Sequence, residues 1–265
     1  MIEILLAGFI GAVVTSALMI FATANSKGGV GKTTIAVHLA AWLHEHGFSV
    51  TLVDCDPQRS SSEWISEAYP EVRAICMSSA DQILEELPGL KETSQAVVVD
   101  GPAGLDEISR AILVHCHGVI VPCKAGTLEA RALVRATSAI RQVQRIPGRD
   151  GLPEAKVVLT MVGERFVLTR EMRDAAKEIG FPLATAMLPQ RQVYALSPGH
   201  GKVLWQIGKR GQKAALEMDR FFRELLPGID EQSPSRIARL VGADSSDTQE
   251  RGEKIQRTTR KVANG

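Results

Sequence analysis

Residues 25–41 read NSKGGVGKTTIAVHLAA and follow the apolar run LMIFATA at 18–24. A glycine-rich turn ending in Gly-Lys-Thr needs a buried strand before it and a helix after it. Unpaired N–H groups at that helix N-terminus then favour a phosphate. The requirement restricts the fold to a covered α/β sheet. The usual spacing, G-x-x-x-x-G-K-[ST], has glycine where this chain has Ser26, and the next residue, Lys27, is a second lysine inside the loop. Backbone N–H groups of Gly28, Gly29, Val30, Gly31, Lys32 and Thr33 are expected to surround a β-phosphate. Lys32 would reach the β- and γ-oxygens and the Thr33 hydroxyl would ligate Mg2+, with Thr34 on the α-phosphate side.

The rest of the chain supports such a sheet. Short apolar runs at 18–24, 50–53, 72–76, 96–99, 118–121, 156–160 and 183–188 alternate with helix-period segments. Those segments lie near 32–46, 59–68, 79–87, 106–115, 127–146 and 168–179, with a long one near 202–226. Strands that are apolar throughout, rather than alternating, belong to parallel sheets covered on both faces. The expected fold is therefore α/β: a doubly wound, mostly parallel sheet of the P-loop NTPase type, spanning residues 18–227. Residues 228–265 carry many charges and few large apolar side chains. That composition predicts a disordered tail.

Residues 1–17 are harder to assign, because Ile4 to Ser26 carry no charge. By length alone this is a membrane span, but residues 18–24 are needed for the strand that delivers the loop. What remains, as a helix over 2–16, reaches only about 22 Å, short of a hydrocarbon core of ~30 Å. It has neither the basic flank nor the cleavage site of a signal peptide. Three readings stay open: an extension of little consequence, a hydrophobic docking or membrane-leaning helix, and an anchor. A net charge of +1 argues against a chain that is basic all over, so any nucleic-acid contact must be a local patch. Cys55, Cys76, Cys116 and Cys123 form no C-x-x-C pair. Buried free thiols in a reducing compartment are the expectation, over a metal site or disulfide.

A phosphate loop of this kind requires carboxylates at neighbouring strand ends, facing the cation. TLVDCDPQRSS ends one apolar run with Asp54 and Asp56, and AVVVDGPAG ends another with Asp100. Any one of these alone would read as a turn or cap residue. Their common register with the loop favours a site.

With these residues assembled, KGGVGKTT, VDCDPQ and VVVDGPAG resemble the deviant Walker A, Walker A′ and Walker B motifs of ParA/MinD-type partition and positioning ATPases. The resemblance covers about residues 18–226. It implies an ATPase using ATP and Mg2+ that forms a homodimer around ATP. Lys27 then corresponds to the signature lysine, which crosses to the nucleotide of the other subunit. Asp56 corresponds to the aspartate that orients the attacking water, and Asp54 and Asp100 to carboxylates near Mg2+. Lys27, Lys32 and Asp56 would be the catalytic set. The chain departs from the family at 100–103, Asp-Gly-Pro-Ala where Asp-x-Pro-Pro is common. Weaker matches are HGVIVPCKAGTLEARAL and LPQRQVYALSPGHGK, the latter with Arg191 in place.

Several relatives are disfavoured by what is missing. Iron–sulfur carriers need paired cysteines, and bacterial tyrosine kinases need a tyrosine cluster, whereas only Tyr69 and Tyr194 occur here. No helix-turn-helix precedes the loop, and the tail has too little clustered apolar area to hold a membrane. As one helix, 202–226 would bring Lys202, Lys209, Lys213 and Arg220 within about 40° of each other. This stripe is either a solvated face or a surface for the phosphate backbone of duplex DNA. The resemblance favours a cytoplasmic, nucleoid-associated partition ATPase that binds double-stranded DNA non-specifically. A ParB-like or cargo adaptor protein would stimulate hydrolysis and release it. The alternatives are a MinD-like positioning ATPase acting on a protein or membrane surface, and a metabolic amidoligase-like relative.

Overall fold

The computed structural model describes residues 3–5, 13–15, 19–104, 107–124, 127–163, 167–229 and 236–242. Near the N-terminus, β1 (Glu3–Leu5) pairs antiparallel with β2 (Val13–Thr15). A helix over 2–16 is therefore not what these residues form, and no described helix is long and apolar enough to cross a membrane. The main chain then runs through β3 (Met19–Thr23), α1 (Lys32–Glu45), β4 (Val50–Asp54), α2 (Ser60–Ala68), β5 (Arg73–Cys76) and α3 (Ala80–Glu86). It continues with β6 (Ala96–Asp100), α4 (Glu107–His115), β7 (Gly118–Lys124), α5 (Thr127–Gln144), β8 (Glu154–Val162) and α6 (Val167–Ile179). The last described elements are β9 (Leu188–Pro189), α7 (Gln192–Gly199), α8 (Lys209–Leu225) and α9 (Arg236–Leu240).

Among the described residues seven strands form one parallel sheet in the order β5-β4-β6-β3-β7-β8-β9. The order in which strands are added changes sense around β3, with β4 and β5 on one side and β7 and β8 on the other. The phosphate loop therefore lies at a switch point of the sheet, where open α/β sheets bind ligands. Both faces are covered, which explains the continuous apolar strands. Within β3, Met19 and Phe21 enter the core shared with α1 and α8, while Ile20 and Ala22 enter the core under α4 and α5. Successive side chains of a strand point to opposite faces, so a doubly covered strand must be apolar at every position. Helix α1 is buried from Ile35 to Leu43 because it lies between the sheet and α8. Trp42 of α1 donates its indole N–H to buried Asp219 of α8 at 2.9 Å.

Three segments differ from the sequence reading. Residues 183–188 contribute only the short β9 and an isolated bridge between Val157 and Leu183, so this edge of the sheet is ragged. The long helix of 202–226 divides into a 3-10 turn at Leu204–Gln206 and α8, separated by Gly208 at φ 68. The division follows from packing. A Cβ on Gly211 would stand 2.0 Å from the Leu204 carbonyl, so the turn folds tightly over the first residues of α8. Part of the expected disordered tail is ordered, because α9 places Ile237 fully in the core and Gln212 donates to the Val241 carbonyl. The rest of that tail lies outside the described residues. Of the cysteines, Cys55, Cys116 and Cys123 are buried thiols and Cys76 is an exposed one.

Candidate nucleotide site

The loop between β3 and α1 is held from both sides. Asn25 is fully buried, accepts the Lys27 N–H at 3.0 Å and donates to the Pro122 carbonyl of β7 at 2.7 Å. On β8, Thr160 donates its hydroxyl to the Val30 carbonyl at 2.8 Å. Helix α1 begins at Lys32 with no side-chain cap and no acidic residue in its first turn. Its leading N–H groups therefore await an anion, together with the positive end of the helix dipole.

Lys32 is buried and donates to the Lys27 carbonyl at 3.1 Å. Burial lowers its pKa, opposed by the charges of Asp100 and Asp56. The ammonium is thus held at the loop backbone with the Asp100 and Asp56 carboxylates nearby. Lys27 lies half-buried five residues earlier, at the mouth of the same loop.

The carboxylates stand where the strand ends predict. Asp54 and Asp100 are register partners at the ends of adjacent strands β4 and β6. Asp100 is completely buried, accepts the Thr23 hydroxyl at 3.2 Å through Oδ1, and leaves Oδ2 without a partner. Burial pushes its pKa up to about 7; nearby Asp54 adds to the rise, while hydroxyls of Thr33, Thr23 and Ser61 oppose it. Asp54 is more fully occupied, because its oxygens accept the N–H groups of Asp56 at 3.0 Å and Ser62 at 2.8 Å. It thus shapes the loop after β4 as well as contributing charge. Asp56 is half-buried and closes a small turn by accepting the Gln58 N–H at 2.9 Å. At the family departure, a Cβ on Gly101 would stand 2.5 Å from the Thr23 carbonyl, so the backbone after Asp100 passes too close to β3 for a side chain.

These donors fit Mg2+. The orphaned Asp100 Oδ2 and the adjacent Thr33 hydroxyl are hard oxygen ligands. Among the described residues no three His, Cys, Asp or Glu side chains gather to hold a metal alone. A cation here would complete its shell with phosphate oxygens and water, as Mg2+ does.

A cavity of about 260 Å³ opens beside Gly31 and Thr34, walled by Thr160, Met161, Leu188, Pro189 and Met218. Its mostly apolar lining suits a flat heterocycle. At its rim Arg191 makes a two-pronged ion pair with Glu217 of α8, at 2.5 and 2.7 Å. The structure brings Gly28 to Thr34, Lys27, Asp54, Asp56 and Asp100 to one end of the sheet. Sequence reasoning missed Asn25, Thr160 and the cavity walls, since none carries a local motif.

The basic stripe is only partly as expected. Lys209, Lys213 and Arg220 are exposed on α8 and share one face. Lys202 precedes the helix, in a segment whose carbonyl accepts from Trp64, so it belongs to a separate turn. The carboxylates of α8 are engaged inward or sideways: Glu217 with Arg191, Asp219 with Trp42 and Arg223, and Glu224 with Lys156.

Comparison with known proteins agrees with this geometry. The family model described as the CobQ/CobB/MinD/ParA nucleotide binding domain matches residues 21–204. The chain is 30% identical over 211 residues to the maintenance of carboxysome distribution protein A of Halothiobacillus neapolitanus, covering 78% of this chain and 95% of that protein. It is 26% identical over 251 residues to the chromosome partitioning protein ParA of Caulobacter vibrioides, covering 77% and 93%. An ATP complex of a Cyanothece McdA variant superimposes with a TM-score of 0.64 at 17% identity, covering 83% of this chain and all of that one. The MinC:MinD complex of Aquifex aeolicus gives 0.65 at 13% identity, covering 82% and 98%. A matched family model over most of the domain and relatives covered almost end to end lead to one conclusion: the chain belongs to the CobQ/CobB/MinD/ParA nucleotide-binding family, among its ParA/MinD-type positioning ATPases.

Proposed function

We propose that the chain binds ATP with Mg2+, dimerises around the nucleotide, holds duplex DNA non-specifically, and lets go when a partner stimulates hydrolysis. The observation that carries this reading is the uncapped start of α1, with Lys32 buried over it and Asp54 and Asp100 in register behind it. The loop N–H groups bind the phosphates, and Lys32 neutralises charge that builds on the β- and γ-oxygens during transfer. Asp56 orients a water for attack on the γ-phosphorus. Bound Mg2+ would supply charge neutralisation at the phosphates, held by Thr33 and, through water, Asp100 and Asp54. Lys27 reaches the nucleotide of the second subunit, so nucleotide and dimer stabilise each other.

The exposed cations of α8 support a DNA surface, because among the described residues Lys209, Lys213 and Arg220 have no carboxylate partner to compete with duplex phosphates. The relatives named for carboxysome distribution and chromosome partitioning support a cargo that is moved or spaced, with an adaptor of the ParB type as stimulating partner. The deciding experiment is retention on random-sequence duplex DNA. Retention that needs ATP and falls with salt is expected. ATP-dependent retention on phospholipid vesicles or on a partner protein, with none on DNA, would replace this reading with the MinD-like one.

A further inference from the structure

The phosphate loop has a third lysine beside it, delivered by a different strand. Lys124 is the last residue of β7, the neighbour of β3 in the sheet. It pairs in register with Thr160 of β8, the residue that holds the Val30 carbonyl. Its Nζ stands 3.9 Å from where a Cβ on Gly29 would be, so the ammonium lies against the loop itself. Lys124 is half-buried, its carbonyl accepts from the Cys123 thiol, and among the described residues its ammonium has no carboxylate or hydrogen-bond partner. The other two lysines of the loop are accounted for by its own architecture: Lys32 rests on the Lys27 carbonyl, and Lys27 carries the loop's first turn.

A partly desolvated cation without a counter-charge costs free energy unless a ligand supplies the charge. Here the backbone beside it is shaped for an anion. Glycine at 29 leaves open the space between the loop and the ammonium that a side chain would occupy. The long, flexible lysine stem can carry Nζ the remaining distance as a compact point charge.

We infer that Lys124 is a further binding residue of the nucleotide site, contacting the phosphate chain of a nucleoside polyphosphate in the same subunit from the β7 side. The inference rests on the nucleotide reading and adds a positive charge that the loop motif does not encode. It places three ammonium groups on one polyphosphate in the dimer: Lys32 and Lys124 from one subunit and Lys27 from the other.

The test uses the full chain and a non-hydrolysable ATP analogue with Mg2+, titrated by calorimetry at two salt concentrations. Lys124→Gln should weaken binding about 10- to 100-fold, as expected for one charge-assisted hydrogen bond. It should flatten the salt dependence and leave the melting temperature of the nucleotide-free protein unchanged. Lys124→Arg should recover most of the affinity. Wild-type affinity in the glutamine variant overturns the inference while leaving the site intact. A fall in affinity matched by a fall in nucleotide-free melting temperature, with no change in salt dependence, makes Lys124 structural and also overturns it. Unchanged binding with loss of the dimer assigns Lys124 to the partner's nucleotide instead. Failure of the wild-type chain itself to bind the analogue would overturn the nucleotide reading, and this inference with it.

Discussion

The Thr160 hydroxyl on β8 donates to the Val30 carbonyl of the phosphate loop at 2.8 Å, joining residues 130 apart in the chain. A glycine-rich loop is thereby fixed to the sheet at buried Val30. Thr160→Val keeps the volume and β-branching but leaves a buried carbonyl without a donor, which costs about 1–3 kcal/mol. The variant should melt at a lower temperature and bind ATP–Mg2+ more weakly. Wild-type values for both would show that the loop holds its shape without this bond.

Lys32→Ala should abolish nucleotide binding, because it removes the charge-assisted contact to the phosphates. Calorimetric titration with ATP–Mg2+ checks it. Binding at wild-type affinity would remove the loop from the site.

Asp56→Ala should retain ATP binding and ATP-dependent dimerisation while losing turnover, since orienting water matters only to the chemical step. Phosphate release and light scattering measure the two separately. Parallel loss of dimer and turnover would make the Gln58 turn, and not water, the business of Asp56.

Replacing Lys209, Lys213 and Arg220 together with glutamate should weaken duplex binding equally across sequences without altering basal hydrolysis. Each lost phosphate contact flattens the logarithmic salt slope by roughly 0.9. Undiminished DNA binding at matched salt would mark the stripe as a solvated face.

Stability should fall on acidification because of His38. Its Nδ1 lies 2.6 Å from the Thr34 carbonyl, and its Nε2 accepts the Leu204 N–H at 3.1 Å. Nδ1 must therefore carry the proton, and a second proton on Nε2 would oppose an N–H. The edges and faces of Trp64 and Trp205 complete an uncharged surround. Burial lowers the pKa from 6.5 to about 4. The unfolded chain takes up this proton below pH 6.5 and the folded chain does not until about pH 4. This group thus contributes no pH dependence above 6.5 and destabilises progressively below it, by up to about 3 kcal/mol. Denaturant melts of wild type and His38→Gln between pH 7 and 4.5 read the difference. Equal pH slopes would mean that His38 takes up its proton as readily in the folded chain as in the unfolded one.

What the amino-acid sequence determined by itself was the part of the molecule written in local pattern. The loop, the helix after it and the strand-end carboxylates Asp54 and Asp100 could all be read because a phosphate site needs specific residues at short, fixed spacing. The parallel sheet could be read because strands buried on two faces are apolar at every position. Only the tertiary structure decided what meets the loop from elsewhere. Thr160 and Lys124 look like an ordinary strand residue and an ordinary strand terminus until β7 pairs with β3 and β8 with β7. Asn25 reads as a turn residue until its amide finds Pro122, 97 residues away. The same holds for the break before α8. A helical period runs through 202–226, and the close approach of the Leu204 carbonyl to Gly211 overrides it and separates Lys202 from the stripe. Helical and strand periods report which face of an element is buried, but contacts between distant segments depend on packing, which leaves no period in the chain.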